Sequence, residues 1–349
     1  MASFVGDTIQ LIARADRGKN ETLLQCTLAT CPISSSYYFY RVSLGANATF
    51  LALFSISLLA FIITYAVTRR ATAFTFAMCA GTVLEVIGYV GRIQSWNNQW
   101  EEAGFLMQIV CLTIAPAFMA GGIYLCLRRI VYAFGPENSR ISPEAYTRIF
   151  IPCDLASLLL QAAGGGLASA ASHSDRSPET GNNIMIAGLA FQVLTLLVFM
   201  TLCVDFGLRT YRRHRSMGQE AFDQNPMYVK LREGWKFRGF VAALALATIC
   251  IFWRSVYRCA ELGEGWTGHL IKQQWLFVGF EGVMVIVACF ALNFFNPAFA
   301  FKEAMDGLGG LGSKKKIKKQ EAVRQHEVVV GEKNASASNS DVERSRHEV

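Results

Sequence analysis

Seven uninterrupted apolar stretches leave this chain few folds to choose from. They are Leu44–Val67, Ala71–Gly91, Ala103–Leu127, Ile149–Ala171, Ile184–Leu208, Gly239–Ala260 and Trp275–Phe301. A hydrocarbon core of ~30 Å needs about 20 apolar residues per spanning helix, and each stretch supplies that length. A transmembrane barrel would show strands of roughly ten alternating residues instead. With no water to satisfy the backbone in lipid, continuous apolar runs must be helices. The composition agrees: 52% of residues are hydrophobic and only 17% are charged in 349, which excludes a water-soluble enzyme. The expected fold is all-α, a seven-transmembrane-helix bundle over residues 44–301.

The net charge of +7 does not point to nucleic acid, because the basic residues concentrate in alternate loops. The segments after the first, third, fifth and seventh stretches hold 24 of the 33 lysines and arginines. The positive-inside rule then places the N-terminus outside or lumenal and the C-terminus in the cytosol. Residues 1–43 become an outer tail, and residues 302–349 a basic cytosolic tail. That second tail runs from a Gly-rich start through the Lys314–Lys319 cluster into Ser, Asn, Glu and Arg. It buries too little apolar surface to offset ordering entropy, so disorder is expected. No basic n-region followed by an apolar core opens the chain, so the first stretch, followed by Arg69-Arg70, is read as a signal anchor.

Of the three glycosylation sequons, at Asn20, Asn47 and Asn334, only Asn20 lies both outside and clear of the bilayer. Cys26 and Cys31, five apart in the outer tail, are expected to form a small disulfide loop. The remaining cysteines read as packing residues, and no metal pattern or cofactor is implied. Trp96, Trp100, Trp266 and Trp275 fall at the outer interface and Trp235 at the inner one.

Ionisable residues inside a span cost ~2.5–3.5 kcal/mol each on insertion scales, so each needs a partner or a wet cavity. The candidates are Glu85 in the second helix, Asp154 in the fourth, Asp205 at the inner end of the fifth, Arg254 and Arg258 in the sixth and Glu281 in the seventh, with Arg92 and Glu261 at outer ends. Asp154 and Asp205 sit near cytosolic ends, where structural roles are favoured. By helical rise, Glu85 and Arg254 both lie about 21–22 Å along their helices. Two turns further out on the same faces come Arg92 and Glu261, with the signs reversed. The expected pairs are therefore Glu85–Arg254 and Arg92–Glu261, joined by Arg258 and Glu281. They form either a clamp holding the bundle or the polar wall of an outer-half pocket for a headgroup, and the two readings are compatible. Arginine suits phosphate or carboxylate, and a surplus glutamate suits an amine.

Supporting positions are Tyr89, Gln108, Gln161, Gln192 and Tyr257, of which the amides are expected to hydrogen-bond between helices. Pro116 should kink the third helix by removing a backbone hydrogen bond. Gly164-Gly165-Gly166, with no Lys-Ser/Thr after it, signals close helix packing rather than a phosphate loop. His173 and His269, the two histidines near the outer face, are too few for a zinc hydrolase, and no Walker A motif is present, so neither an enzyme nor a nucleotide-driven pump is expected. A seven-helix receptor is the alternative. Asn296-Pro297-Ala298-Phe299 only loosely matches the Asn-Pro-x-x-Tyr of such receptors, and Leu127-Arg128-Arg129 stands where Asp-Arg-Tyr would be.

Motifs in five helices are more specific. They are Glu85-x-x-Gly88-Tyr89-x-Gly91-Arg92; Ala115-Pro116-Ala117 with Tyr124 and Arg129; Asp154-x-x-Ser157-x-x-x-Gln161-x-x-Gly164-Gly165-Gly166; Gly188 with Gln192; and Arg254-Ser255-Val256-Tyr257-Arg258-x-x-Glu261. Together they resemble the fungal lipid-translocating exporter family of the aminocholesterol-resistance type, which includes a sphingoid long-chain-base exporter. The resemblance covers roughly residues 35–300. It implies a plasma- or vacuolar-membrane protein that exports lipids or confers resistance to toxic amphiphiles, with a sphingoid base, sterol amine or phospholipid as its partner. Three positions depart from the family: Gln274 replaces an acid, Glu281 an aspartate and Met284 a proline.

Overall fold

The computed structural model describes residues 26, 31–33, 36–173, 177–224, 226–265 and 268–301. The Asn20 sequon, Trp266 and the whole basic tail with Lys314–Lys319 lie outside the described residues, as does the side chain of His173. Among the described residues the chain is all-helical, and seven helices are long and apolar enough to cross a membrane.

The first five spans are α1 (Leu44–Thr68), α2 (Thr72–Asn97), α3 (Glu102–Phe134), α4 (Pro143–His173) and α5 (Glu179–Met217). A short amphipathic helix, α6 (Pro226–Glu233), precedes the sixth span, α7 (Trp235–Gly263). The seventh span, Gln274–Ala300, is not one regular helix. It comprises α8 (Gln274–Phe277), a π-helical stretch Val278–Val283, α9 (Met284–Phe294) and α10 (Pro297–Ala300).

Packing runs around a ring: α1 against α2, α2 against α3, α3 against α4, α4 against α5, α5 against α7, α7 against α9, and α9 back on α1. The α1 sequence shows how the ring is built. Its buried residues are Asn47, Phe50, Phe54, Ser57 and Phe61, a three-four spacing that makes a single stripe. Ser43 starts that helix by accepting a hydrogen bond from the Ala46 N–H. Ile56, Leu59, Ile62 and Ile63 point away from the bundle, as a lipid-facing surface requires. Exposed Trp275 and Trp235 open the seventh and sixth spans at opposite ends of the bundle.

Close packing of α4 on α5 depends on glycine, but on fewer residues than the triplet suggested. A Cβ on Gly164 would collide with the backbone of Met185 and Gly181, whereas one on Gly166 would meet nothing. One turn earlier on α4, the Gln161 side-chain amide donates to Gln192 Oε1 at 3.0 Å and ties the same two helices together.

Candidate polar site at the Arg92 end

The α2–α3 crossing sets the site. A Cβ on Gly91 would lie 2.8 Å from the Gly104 carbonyl oxygen, so neither helix could approach so closely with any larger residue there. This contact brings Arg92, one residue on, beside Gln108 of α3. Arg92 is almost fully buried and has no carboxylate partner among the described residues. Its Nε donates to Asn47 Oδ1 at 2.8 Å, Nη1 to Gln108 Oε1 at 3.0 Å and Nη2 to the Tyr40 hydroxyl at 3.1 Å. The guanidinium lies 3.8 Å from the centre of the Phe277 ring and 5.6 Å from that of Tyr38. Three neutral oxygens and a π-face replace the anion that a buried charge otherwise needs. Tyr38 in turn donates to Ser95 Oγ at 2.8 Å. Its burial, ahead of the first span, pushes the phenol up to about 12 despite the nearby Arg92 charge.

The expected Arg92–Glu261 pair is thus not formed, nor is Glu85–Arg254. Equal height on two helices is not adjacency, because α2 and α7 share no extensive contact in the ring. Arg254 instead meets Glu281 Oε1 at 2.5 Å, and Glu281 is delivered by the π-helical turn. A π-turn shifts the register of every side chain beyond it, and such turns concentrate at functional sites. Arg254 also donates from the same nitrogen to the Leu112 carbonyl of α3. That acceptor is free because the residue four further on is Pro116, which has no N–H to give it. Pro116 therefore acts here as the source of a carbonyl socket, inside an α3 that continues unbroken to Phe134.

Arg258, one turn along α7, pairs with Glu261 and lies 4.0 Å from Glu281 Oε2. Tyr257 donates to the other Glu261 oxygen at 3.2 Å and stacks on Phe280. Tyr37, Tyr40, Arg92, Gln108, Arg258 and Glu261 are among the residues lining a cavity of ≈ 30 Å³. It has room for water but not for a lipid tail.

Glu85 stands about 10 Å deeper, two turns below Arg92. Its side chain is fully buried, and neither carboxylate oxygen has a hydrogen-bond partner among the described residues. The hydroxyl of Tyr89, one turn above it and held between the rings of Phe50 and Phe54, is also without a partner. Four other charged groups, Arg254, Arg258, Glu281 and Glu261, complete the ladder from Glu85 to the cavity.

Of the other expected positions, Asp154 accepts from the Tyr124 hydroxyl at 2.8 Å, away from this ladder. Asp205 lies in an exposed cluster with Arg140 and Arg209. Cys26 and Cys31 are joined by a disulfide. Sequence reading missed Asn47, Tyr40, Phe277 and the Leu112 carbonyl. Asn47 carries a signal in the sequence, since a polar side chain inside an apolar span needs a partner. No group of three or more His, Cys, Asp or Glu residues suited to a metal occurs among the described residues.

With the geometry in place, comparison with known proteins identifies the relatives. The model of the family described as RTA1 like protein matches residues 78–304. The chain belongs to that family. It is 38% identical over 249 residues to the sphingoid long-chain base transporter RSB1 of Saccharomyces cerevisiae strain Lalvin EC1118, covering 66% of this chain and 65% of that protein. The chain thus spans just under two thirds of that relative's length. It is 30% identical over 223 residues to Protein RTM1 of Saccharomyces cerevisiae, covering 63% of this chain and 67% of that one. To protoporphyrin uptake protein 1 of Saccharomyces cerevisiae strain ATCC 204508 / S288c it is 30% identical over 233 residues, covering 65% and 71%. No solved structure matches. The chain is an integral, multi-pass membrane protein of a family that includes a relative named a sphingoid long-chain base transporter.

Proposed function

We propose that this protein exports a cationic or zwitterionic amphiphile, taking its polar head into the buried ladder between Glu85 and Arg92 and passing it to the outer leaflet or medium. One observation carries the reading. A membrane-spanning bundle keeps a fully buried acid, Glu85, without a hydrogen-bond partner among the described residues, near an Arg254–Glu281 pair, and Arg258, 4.0 Å from that glutamate, lines a cavity. A charge-bearing group at that depth is expensive unless it serves a ligand or ion. Glu85, Glu281 and Glu261 offer oxygens to an ammonium, and Arg92, Arg254 and Arg258 offer donors to a phosphate or hydroxyl. The relative named as a sphingoid long-chain base transporter favours a single-chain amine as cargo, with sterol amine and phospholipid as competitors. The tail travels between helices in lipid-like surroundings, and widening the ≈ 30 Å³ cavity is part of each transport cycle. The orientation that best fits the basic loops has the Arg92 end outward, in a plasma or vacuolar membrane.

Purified protein in liposomes, given labelled sphingoid base, sterol amine and phospholipid in turn, tests this. Flux of the amine without nucleotide supports export. Saturable binding with no flux supports a seven-helix receptor or sensor instead, and covalent change of the lipid supports an enzyme.

A further inference from the structure

We propose that Glu85 exchanges a proton for the ammonium head of the cargo, which makes the protein a proton–amphiphile antiporter. This inference rests on the export reading above and adds its energy source. The partners along the ladder single out Glu85. Glu281 holds Arg254, and Glu261 holds Arg258 and Tyr257. Arg92 is held by Asn47, Gln108 and Tyr40. Among the described residues, Glu85 alone of these acids has neither a donor nor a counter-ion within bonding distance.

The ionisable groups near enough to feel its charge come from every side. They are Glu281 of the π-helical turn, Arg254 of α7, Cys111 of α3, Cys289 of α9 and Tyr89 of its own helix. From α1 the nearby wall is the rings of Phe50 and Phe54, which face Tyr89 and carry no titratable group. The one cation in that set, Arg254, is already engaged by Glu281 and by the Leu112 carbonyl. A bare carboxylate there would stand desolvated and unpaired beside a second acid, so the empty site holds the neutral carboxylic acid.

Loading is then a balanced exchange. An ammonium head arrives from the inner side, the Glu85 O–H bond breaks, and its proton leaves to water on that side. The carboxylate left behind pairs with the ammonium, so the net charge of the site is unchanged. A proton arriving from the outer side reverses the step and frees the amine outward. Coupling is obligatory because the ionised, unpaired site is the one state too costly to close around. The site changes its exposure carrying a proton or an ammonium, and not empty. Where the outside is the more acidic compartment, mass action drives the amphiphile out.

A quaternary cargo isolates the protein's proton from any carried by the amine itself. In liposomes holding a pH-sensitive dye, labelled N,N,N-trimethylsphingosine is expected to move with an equal counterflow of protons. A pH gradient of about one unit should concentrate it about tenfold on the alkaline-to-acid path, that being the equilibrium for one-for-one exchange. Glu85→Gln, neutral and of the same shape, should lose both the proton counterflow and the uphill accumulation; thermal unfolding in detergent checks that the variant is folded. Flux of the quaternary amine that ignores the gradient and moves no protons overturns the coupling while leaving export intact. Absence of flux for every cargo, primary amine included, overturns export itself. Because the wild-type measurement decides on its own, the test survives a variant that fails to fold.

Discussion

The two ends of this bundle hold most of their charges in opposite ways, although Asp154, with one oxygen lacking a hydrogen bond among the described residues, and Arg232 are buried toward the Asp205 end too. At the end holding Asp205, Arg140 and Arg209 share one carboxylate at 2.8 and 2.9 Å, Arg213 reaches Glu137 at 3.3 Å and Arg128 reaches Glu144 at 3.6 Å. All of these have access to solvent, where pairs are screened and individually weak. Toward the Arg92 end the charges are buried, their partners come from four different helices and the π-helical turn, and several polar atoms are left over: both oxygens of Glu85, one of Glu281, and the Nε atoms of Arg254 and Arg258. Exposed charges can be satisfied by water whatever the helices do. Buried ones must be satisfied by the fold, and the unsatisfied remainder there is what the proposed export site would use.

The sharpest way to break this contrast is at Arg254. Arg254→Ala takes the hydrogen-bonded cation from buried Glu281, leaving only Arg258 at 4.0 Å, and should cost about 3–5 kcal/mol of stability together with all export. Export of labelled amine from liposomes and thermal unfolding in detergent read the two effects separately. A swap of signs, Arg254→Glu with Glu281→Arg, should recover more protein and more flux than Arg254→Glu with Glu85→Arg. Equal recovery from both swaps would mean that Glu85 is the true partner. Pro116→Ala probes the same guanidinium from its other side. The new N–H at position 116 competes for the Leu112 carbonyl, so export should fall about tenfold while the regained helix bond offsets the lost contact in stability.

Arg92 comes next in size. Asn47→Ala or Gln108→Leu each leaves one guanidinium N–H buried without an acceptor, a cost of about 1–3 kcal/mol. If instead water in the neighbouring cavity takes over the bond, unfolding temperatures will not move, and the site is wetter than the contacts imply. Tyr38 gives a smaller, pH-dependent effect. Its phenol ordinarily ionises at 10.0 and in the fold at about 12, so the unfolded chain releases this proton first. The stability due to the buried phenol is therefore complete below pH 10 and is lost as pH rises from there toward 12. Tyr38→Phe should flatten that alkaline loss in a pH series of unfolding temperatures.

How much of this was legible beforehand follows from what each residue's signal depends on. The seven spans are written in composition and length, because a bilayer judges each helix separately. The charged residues of the site were equally visible, since an acid or arginine inside a span always needs an explanation. Their pairing was not. It depends on neighbour order in the ring and on a π-turn in Val278–Val283, and neither leaves a mark in hydropathy. Pro116 was seen as a kink, whereas its consequence, a carbonyl open to Arg254, needed the helix from across the bundle. The Gly164-Gly165-Gly166 run looked like one packing device, yet only the register of α4 against α5 shows that Gly164 bears the contact.

The smallest effect belongs to the Asp205 end and is the control for all the others. Asp205→Asn removes the acceptor that Arg140 and Arg209 share, but water reaches all three side chains and replaces what is lost. Flux in liposomes should be unchanged, and the unfolding temperature should stay within the scatter of repeated measurements at moderate salt. Any change that does appear should shrink as salt is raised, because the exposed cluster lies within reach of counter-ions. The Arg254 variants should keep their defect at every ionic strength, since Glu281 is fully buried from counter-ions in solution. A defect of similar size and similar salt dependence at both ends would remove the distinction drawn between them, leaving the buried ladder as one more structural clamp.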